Sequence, residues 1–475
     1  MEGSPTVPLW KLSAAEIAAA VHKGEVSARE VVDAHLDRIA EVNPQVNAVT
    51  QLLADQARTA ADDTDRRRAA GQALGPLAGV PFTVKESTPI EGVPTTYGLR
   101  RFSTLVARAD AVPVSRLRAA GAVPIGHSNL PTLILSGMHP RSELYGDTRN
   151  PWDATRTPGG TSGGDGAAVA SGLAPLGLGN DSGGSVRIPA SFCGVAALKP
   201  TTGRFPADQR VIGPDDPGLA SQLLVVDGPL ARRIGDLRLA YETLAGPDVR
   251  DPRAVPVPLY GPEPAAPVRV ALVADPGGHG VHPTVRAALD RAADALRDAG
   301  HEVHELADLP RFDEATEYYH RFPVTEFAPN WPVVRELVGE ASARYIDFTM
   351  RRTPPMDAAE LMRMAGATAG IRRAWAELMQ EYPLVLGPIF TEPSVEPGLE
   401  SSSQEGRDRV ADAMRLCSVT TLLGLPAVAV PTGCAEDGLP VGVQLVGGAF
   451  REDLCLAAAQ AVEDRLGTFT PIDPR

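Results

Sequence analysis

Hydrophobic residues in the first seventy positions recur at the spacing of amphipathic helices, separated by charged and polar positions. Two of these segments begin with a serine that is followed three residues later by a glutamate, which is the pattern of a capping box. The two pairs are Ser13 with Glu16 and Ser27 with Glu30. The pattern predicts helices over 14–22 and 28–41 and a third, alanine-rich helix over 45–70. We expect residues 1–70 to form an outer helical layer that carries no catalysis.

From about residue 75 the pattern changes to short apolar runs that glycine and proline interrupt. These runs are "LAGVPFTVKES", "AVPIGHSN" and "GVAALKPT". Helix-compatible segments, over 111–121 and over 166–178, lie between them, and such alternation is typical of an α/β core around a mixed sheet. Two late runs, "LPAVAVPTG" and "GLPVGVQLVGG", predict a strand and a hairpin that rejoin the same sheet.

A proline-rich segment, 251–267, leaves open either a linker between domains or a surface excursion of one domain. A clear strand, "VRVALVAD", and a helix over 283–299 follow it. Because the late strands are expected to rejoin the same sheet, we predict a single domain over 1–475.

The composition is that of a globular protein and sets limits on its partners. A net charge of −14 argues against a nucleic-acid or anionic membrane surface, which would need clustered lysine and arginine. The first residues, "MEGSPTVPLWKLSAAE", lack both the basic and the apolar part of a signal peptide, so a cytoplasmic location is expected. The longest uncharged stretch, between Arg415 and Glu436, is interrupted by Pro426 and Pro431 and predicts a buried helix and a strand, not a membrane span. Four widely spaced cysteines without metal-ligand or disulfide spacing are expected to be small buried residues, namely Cys193, Cys417, Cys434 and Cys455.

Lysine is rare among the basic residues, since only four of the 45 are lysine and arginine stands wherever a generic positive charge suffices. A buried lysine can lose its proton and act as a base, whereas arginine stays protonated. The four are Lys11, Lys23, Lys85 and Lys199. Lys85 ends the apolar, strand-like run "GVPFTVKES", which places its amine in a partly desolvated position. The residues alone leave two interpretations open, a base or a structural lysine paired with a carboxylate.

Two loops rich in serine and glycine are further candidates for chemistry. They are "PGGTSGGDG" at 158–166 and "GNDSGGSVR" at 179–187. Glycine pairs let the backbone direct successive N–H groups inward, as an anion or oxyanion site requires. Taken alone, the loops leave open the alternative of two tight turns built from small residues.

The segment from Pro158 to Arg204, "PGGTSGGDGAAVASGLAPLGLGNDSGGSVRIPASFCGVAALKPTTGR", resembles the hallmark segment of the amidase signature family. The similarity extends, in the family's order, through "PLAGVPFTVKES", "GAVPIGHSNLP", "NPWDATRTPGG" and the C-terminal "LLGLPAVAVPTG" and "GLPVGVQLVG". It is weakest between about 305 and 380. The resemblance implies an α/β fold in which helices cover both faces of a mixed central β-sheet (α/β/α).

The same resemblance divides the single domain into parts. It implies a catalytic core over 71–310 and 381–475 and a variable region over 311–380 beside the substrate. Residues 312–331 hold six of the 23 aromatic residues of the chain, which suits an apolar substrate pocket. Ordinary helix packing is an equally open explanation for three of these residues, Tyr318, Tyr319 and Phe322.

Members of this family use a Ser–cis-Ser–Lys triad without metal or cofactor. Carried over by motif, the lysine of "VKE" is Lys85, and the serine that closes "DSGGS" is Ser185, the nucleophile. The bridging position falls on Thr161, where the family has a serine that follows glycine in a cis peptide. Threonine keeps a hydroxyl that can relay a proton, but its extra methyl restricts χ1. We expect the threonine to preserve the acyl-transfer chemistry. Two alternatives stay open, an altered rate and a proton relay through Ser162.

The glycines of "DSGGS" are expected to open backbone N–H groups around the nucleophile for the oxyanion of the reaction. The expected donors belong to Ser182, Gly183, Gly184 and Ser185. Asp181 and Arg187 are expected to be local scaffold, and Ser162 is expected to support the loop through hydrogen bonds.

Together these residues predict hydrolysis of a carboxylic amide through a Ser185 acyl-enzyme, with release of a carboxylate and an amine or ammonia; esters and carbamates are left open. The expected partner is a small amide with an apolar or aromatic group, without nucleic acid or membrane, and a homodimer is left open.

Three alternatives to a stand-alone amidase stay open. One is the glutaminase-type subunit of an amidotransferase, and another is a ligand-binding protein whose site the threonine has inactivated. The third is an α/β-hydrolase, because Gly160–Gly164 satisfies G-x-S-x-G. That motif needs a strand just before it, and "RNPWDATRTP" does not have the pattern of a strand.

Overall fold

The computed structural model describes residues 7–135, 137–207, 216–264 and 267–475. Both predicted capping boxes are present: each serine side chain accepts a hydrogen bond from the glutamate N–H, and each glutamate carboxylate accepts one from the serine N–H. The helices that they begin, Ala14–Lys23 and Ala28–Val46, agree with the prediction and end later than expected.

Eleven strands of the described residues join in one mixed sheet, and two short strands form a separate hairpin. In chain order the strands are β1 (Val49–Leu52), β2 (Pro81–Lys85), β3 (Val123–Ser128), β4 (Arg141–Ser142), β5 (Gly146–Asp147), β6 (Leu176–Asp181), β7 (Ala196–Lys199), β8 (Val226–Ala231), β9 (Arg269–Leu272), β10 (Glu302–Glu305), β11 (Leu384–Pro388), β12 (Ala427–Cys434) and β13 (Pro440–Gly447). The order across the large sheet is β1-β3-β2-β6-β8-β7-β12-β13-β11-β9-β10, and β4 pairs with β5.

Helices connect most of these strands. In chain order the α-helices of the described residues are α1 (Ala14–Lys23), α2 (Ala28–Val46), α3 (Ala54–Ala69), α4 (Val112–Ala119), α5 (Gly163–Ala170), α6 (Arg187–Cys193), α7 (Leu219–Leu224), α8 (Ile234–Leu244), α9 (Pro283–Asp298), α10 (Phe312–Phe327), α11 (Trp331–Val334), α12 (Glu340–Arg352), α13 (Ala358–Glu381), α14 (Leu399–Ser402), α15 (Gln404–Ala413), α16 (Arg415–Leu422) and α17 (Glu452–Leu466). Short 3-10 helices cover Leu9–Lys11, Arg100–Phe102, Thr132–Ile134 and Ala328–Asn330.

Helices cover both faces of the sheet, as the alternation of side chains along its strands demonstrates. In β12, Val428 and Val430 belong to one hydrophobic core, whereas Ala427 and Ala429 belong to two other cores on the opposite face. The first core includes residues of α9 and α17, and the core around Ala427 includes residues of α13 and α16. The predicted α/β/α fold is therefore confirmed.

Two helices predicted from local pattern are present, but the predicted bounds are wrong. The third predicted helix, 45–70, is instead the strand β1 followed by α3, because β1 pairs with β3 at the edge of the sheet. The predicted helix over 166–178 is the end of α5 followed by the start of β6, which pairs with both β2 and β8. In both segments, partners distant in sequence impose a strand on residues that are also compatible with a helix.

The uncharged stretch after Arg415 forms the buried helix α16 and then β12, as predicted. In the described part of the chain, no helix combines the length and apolarity that a membrane crossing requires. Three of the cysteines are buried, but the prediction is wrong for Cys434, which is exposed because it ends β12 at the turn to β13.

The strands on either side of the proline-rich segment belong to one sheet, since β9 joins it by pairing with β11. Helices α10 to α13 occupy most of the region over 311–380. The assignment of a single domain, with this region beside the substrate, stays a prediction.

Candidate active site

Strand β2 carries Lys85 into the interior of the protein. All five residues of the strand are buried, and the Lys85 side chain is 0% exposed. Its Nζ lies 2.5 Å from Thr161 Oγ1 and 2.7 Å from Asn180 Oδ1. Within the residues that the structure describes, no carboxylate forms an ion pair with this amine, which argues against a structural lysine paired with an acid.

The surroundings of Lys85 favour its neutral form. Burial lowers the pKa of Lys85 to about 7, because the charged amine loses its hydration. Asp165, Asp181 and Asp227 act in the opposite direction, since negative charge favours the ammonium form. Burial in turn raises the pKa of Asp165 to about 6 and that of Asp227 to about 7, which weakens this opposition. A substantial fraction of Lys85 is therefore neutral near pH 7, as a general base requires.

The first glycine-rich loop brings the Thr161 hydroxyl to this amine and the backbone of Ser162 to the second loop. The Gly160–Thr161 peptide bond is cis. A Cβ at Gly160 would lie 2.2 Å from the carbonyl oxygen of Met138, so only glycine fits there. The N–H of Ser162 donates a 3.0 Å hydrogen bond to the carbonyl oxygen of Ser185, and Ser162 therefore connects the two loops.

Ser185 lies in the turn between β6 and α6 and is half-buried between two fully enclosed neighbours, Gly184 and Val186. Its Oγ has no hydrogen-bond partner among the residues that the structure describes. Of the two contacts that the relay needs, the one between Lys85 and Thr161 is thus formed, and the one between Thr161 and Ser185 is not. Catalytic hydrogen bonds are often long in a ligand-free enzyme and shorten in the complex with substrate.

The loop before Ser185 differs from the expected oxyanion site at two positions. The N–H groups of Gly183 and Gly184 donate to Oδ1 of Asp181, at 3.0 and 2.7 Å. These two expected oxyanion donors are therefore engaged by a carboxylate. The N–H groups of Ser182 and Ser185 have no acceptor among the described residues, and they remain available for an oxyanion.

Arg187 holds Asp181 in this position. Both side chains are 0% exposed, and two guanidinium nitrogens lie 2.9 and 3.0 Å from the two carboxylate oxygens. Burial alone would raise the pKa of Asp181, but the paired Arg187 charge and its hydrogen bonds lower this pKa below the ordinary range. The carboxylate stays charged and accepts hydrogen bonds from the loop. Further partners of the guanidinium are Thr420, Thr421, Gln444 and the carbonyl oxygen of Cys417.

Helix α10 contributes one aromatic residue to the same loop. The hydroxyl of Tyr319 donates a 2.8 Å hydrogen bond to the carbonyl oxygen of Ser182. Tyr318 and Phe322 pack against the hydrophobic core that includes α13 and α16. Helix packing therefore explains these two residues, whereas Tyr319 also contacts the candidate site.

Two residues of the site, Asn180 and Ser87, were not predicted from the sequence. Asn180 is the half-buried residue of β6 directly before Asp181, and its side chain contacts Lys85 and Ser87. Both residues lie inside the quoted motifs, so their polarity at the ends of apolar runs is a usable signal. What the sequence does not provide is the pairing of β2 with β6, which brings the two strand ends together.

The site therefore combines an accessible hydroxyl, a second hydroxyl bound to a buried amine, and two unoccupied backbone N–H groups. This is the set of groups that acyl transfer through a covalent serine intermediate requires. Within the described ranges, no group of three or more His, Cys, Asp and Glu side chains is arranged to hold a metal ion.

Comparisons with known proteins give relatives over nearly the whole chain. A family model, Amidase, matches residues 30–456. Indoleacetamide hydrolase of Bradyrhizobium diazoefficiens is 40% identical over 470 residues, which cover 98% of this chain and 88% of that protein. One component of the glutamyl-tRNA(Gln) amidotransferase of Salinispora arenicola is 34% identical, and the match covers 98% of this chain and 99% of that component. Among solved structures, a bacterial aryl acylamidase of the amidase signature enzymes superposes with a TM-score of 0.83 at 25% identity, over 98% of each chain.

Proposed function

Because this chain belongs to the amidase signature family and hydrolyses carboxylic amides, we propose that Ser185 is its nucleophile, Thr161 its proton relay and Lys85 its base. The observation that carries this assignment is the 2.5 Å contact between Lys85 Nζ and Thr161 Oγ1 beside the loop that presents Ser185. Threonine at the bridging position thus keeps its oxygen in contact with the base.

In the first half-reaction, Ser185 Oγ attacks the carbonyl carbon of the amide and passes its proton to Thr161, whose own proton moves to the neutral amine of Lys85. The N–H groups of Ser182 and Ser185 stabilise the oxyanion of the tetrahedral intermediate. Collapse of this intermediate breaks the C–N bond while the relay runs in reverse and protonates the leaving nitrogen. Water then attacks the acyl-enzyme through the same relay, and the carboxylate leaves as Ser185 regains its proton.

We infer that the substrate is a primary amide with an aromatic group on its acyl side, so that the products are an aromatic carboxylate and ammonia. The support is the 40% identity to a protein named indoleacetamide hydrolase over nearly the whole chain. The position of the Tyr319 ring on α10, directly beside the loop of the nucleophile, adds an aromatic surface at this site.

Labelling with a fluorophosphonate, followed by peptide mass spectrometry, tests the assignment of the nucleophile. We expect an adduct on Ser185 that is lost in Lys85→Ala, because the hydroxyl then has no base. An adduct on Ser162 would instead support the G-x-S-x-G alternative, and the absence of any adduct would favour a ligand-binding protein.

The glutaminase component of an amidotransferase is the second candidate function, because the amidotransferase component of Salinispora arenicola is 34% identical over 98% of this chain. Ammonia release by the purified chain from indole-3-acetamide and from glutamine separates the two functions. Turnover of indole-3-acetamide by the purified chain supports the hydrolase. Turnover of glutamine but not of indole-3-acetamide supports the glutaminase. Light scattering and cell fractionation test two further predictions, a homodimer and a cytoplasmic location.

A further inference from the structure

The amine of Lys85 has a second contact that the relay does not use. Besides Thr161, the hydrogen-bond partner of Nζ among the described residues is Oδ1 of Asn180, at 2.7 Å. A neutral amine has two N–H donors and one lone pair. When one N–H of Lys85 is bound to Asn180, the lone pair of the amine can point in fewer directions. The oxygen of Thr161 is then the neighbour from which the lone pair can accept a proton.

The amide of Asn180 is itself held in one orientation. Its Nδ2 donates a 3.1 Å hydrogen bond to Oγ of Ser87, which leaves Oδ1 facing Lys85. A flipped amide would turn its NH2 group towards Lys85, and the acceptor for the N–H of the amine would be lost. Ser87 follows Lys85 by two positions, so the segment that carries the base also fixes the amide that orients it.

Asn180 is also a neutral acceptor in an acidic environment. Three carboxyl groups on neighbouring elements act electrostatically on the amine, namely Asp165 on α5, Asp181 on β6 and Asp227 on β8. None of them forms an ion pair with Lys85 within the described residues, and the Asp181 carboxylate is already paired with Arg187. A carboxylate in direct contact would hold the amine as ammonium, because an opposite charge within a few ångströms favours the charged form.

We propose that Asn180 is a positioning residue for Lys85, whose uncharged amide oxygen directs the amine towards Thr161 without stabilising its protonated form. The inference rests on the proposed function, in which Lys85 is the base. Asn180 acts through Lys85 and does not touch the reacting atoms.

The test is the pH profile of kcat/KM for indole-3-acetamide in Asn180→Asp, a change that keeps the shape of the side chain and adds a negative charge. The added charge should favour the protonated amine, and we expect the acidic limb of the profile to move at least about one pH unit higher. At pH 6 the kcat/KM of the variant should then be about tenfold below that of the wild type, and at high pH the two values should be equal. Asn330→Asp, at an exposed position, adds the same charge and should leave the limb in place. An unmoved limb in a folded Asn180→Asp enzyme would overturn the proposal.

A second variant keeps the test decisive if Asn180→Asp does not fold. Ser87→Ala leaves Asn180 in place but releases its amide, and we expect kcat to fall about fivefold with KM unchanged, the effect of one hydrogen bond of about 1 kcal/mol. Unchanged kcat in Ser87→Ala would contradict the orienting role. Failure of the proposed function is distinguishable, because then Lys85→Ala itself would retain activity and fluorophosphonate labelling.

Discussion

The hydroxyl of Tyr319 donates a 2.8 Å hydrogen bond to the carbonyl oxygen of Ser182, which lies three residues before Ser185, the proposed nucleophile. The contact joins helix α10, in the region where the resemblance to the family is weakest, to the loop where it is strongest. The fit is close, since a Cβ on Gly183 would lie 1.8 Å from the Tyr319 hydroxyl oxygen. Asp181 thus binds the loop through its N–H groups and Tyr319 binds it through a carbonyl oxygen. These contacts fix the positions of the N–H groups of Ser182 and Ser185.

Removal of this hydroxyl should therefore slow the chemical step. In Tyr319→Phe we expect kcat to fall about fivefold, since one neutral hydrogen bond contributes about 1 kcal/mol. Tyr318→Phe removes the same group from the neighbouring residue on α10 and serves as the control, with little change expected. Steady-state kinetics of the two variants provide the comparison, and equal effects would refute a specific role for Tyr319.

A methyl group at Gly183 gives a stricter test of the same contact. Gly183→Ala should lower kcat more than Tyr319→Phe does, because the new Cβ displaces the hydroxyl and shifts the loop. In the double variant Tyr319→Phe/Gly183→Ala, the atom of residue 319 nearest to the new Cβ is a ring carbon at 2.9 Å. The decrease in kcat caused by Gly183→Ala should therefore be smaller in Tyr319→Phe than in the wild type. Additive losses in the double-mutant cycle would show that the two sites do not interact.

The pH dependence of activity should report the titration of Lys85. Burial lowers the pKa of Lys85 to about 7, and the base acts in its neutral form, so kcat/KM should rise as the pH increases through about 7. Below that value the rate should fall about tenfold per pH unit. Lys85→Arg keeps the charge and loses the basicity, and we expect its kcat/KM to be lower by about 1,000-fold at every accessible pH. An active arginine variant with the wild-type profile would exclude Lys85 as the base.

The threonine in the bridging position should be replaceable by serine but not by a side chain without a hydroxyl. Thr161→Ser keeps the oxygen that contacts Lys85, and we expect kcat/KM within about tenfold of the wild type. Thr161→Val keeps the branched shape and removes the oxygen, so about 100-fold or more should be lost, the range of a proton-transfer contribution. Single-turnover acylation rates measure this step directly. Equal activity of the valine variant would indicate that another group, such as Ser162, carries the proton.

Features that depend on neighbours in sequence could be predicted, and those that depend on distant residues could not. The capping boxes at Ser13 and Ser27 need only four residues each, and both are present. The helices predicted over 45–70 and 166–178 wrongly included β1 and the start of β6, because the partners of these strands lie far along the chain. In the same way, the motif around Ser185 indicates a candidate nucleophile but not Tyr319, which reaches the loop from 137 residues away.

The oxyanion donors illustrate a second limit. The glycines predict a loop with accessible N–H groups, but the direction of each N–H depends on backbone dihedrals that the motif does not specify. Gly184 adopts a φ of 121°, a conformation that favours glycine, and its N–H points to Asp181. A carboxylate next to a glycine pair can therefore accept hydrogen bonds from the N–H groups that would otherwise bind an oxyanion.

The buried pair that anchors this loop should also be important for stability. Asp181→Asn leaves the fully buried Arg187 without its counter-charge, and we expect the free energy of unfolding to fall by about 3 kcal/mol at pH 7, together with a loss of activity. Asp298→Asn breaks the exposed pair with Arg465 and serves as the control, with a much smaller loss expected because solvent and salt screen an exposed pair.

The effect of Asp181→Asn should depend on pH in a defined direction. Because the pKa of Asp181 is lowered in the folded protein, its stabilising contribution is complete above its unfolded value of about 4 and is lost as the pH falls towards the folded value. Urea unfolding at a series of pH values should therefore show a constant difference between wild type and Asp181→Asn above about pH 5 and a shrinking difference below about pH 4. A difference that is independent of pH across this range would mean that the ionic contact with Arg187 contributes nothing and that hydrogen bonding alone holds the loop.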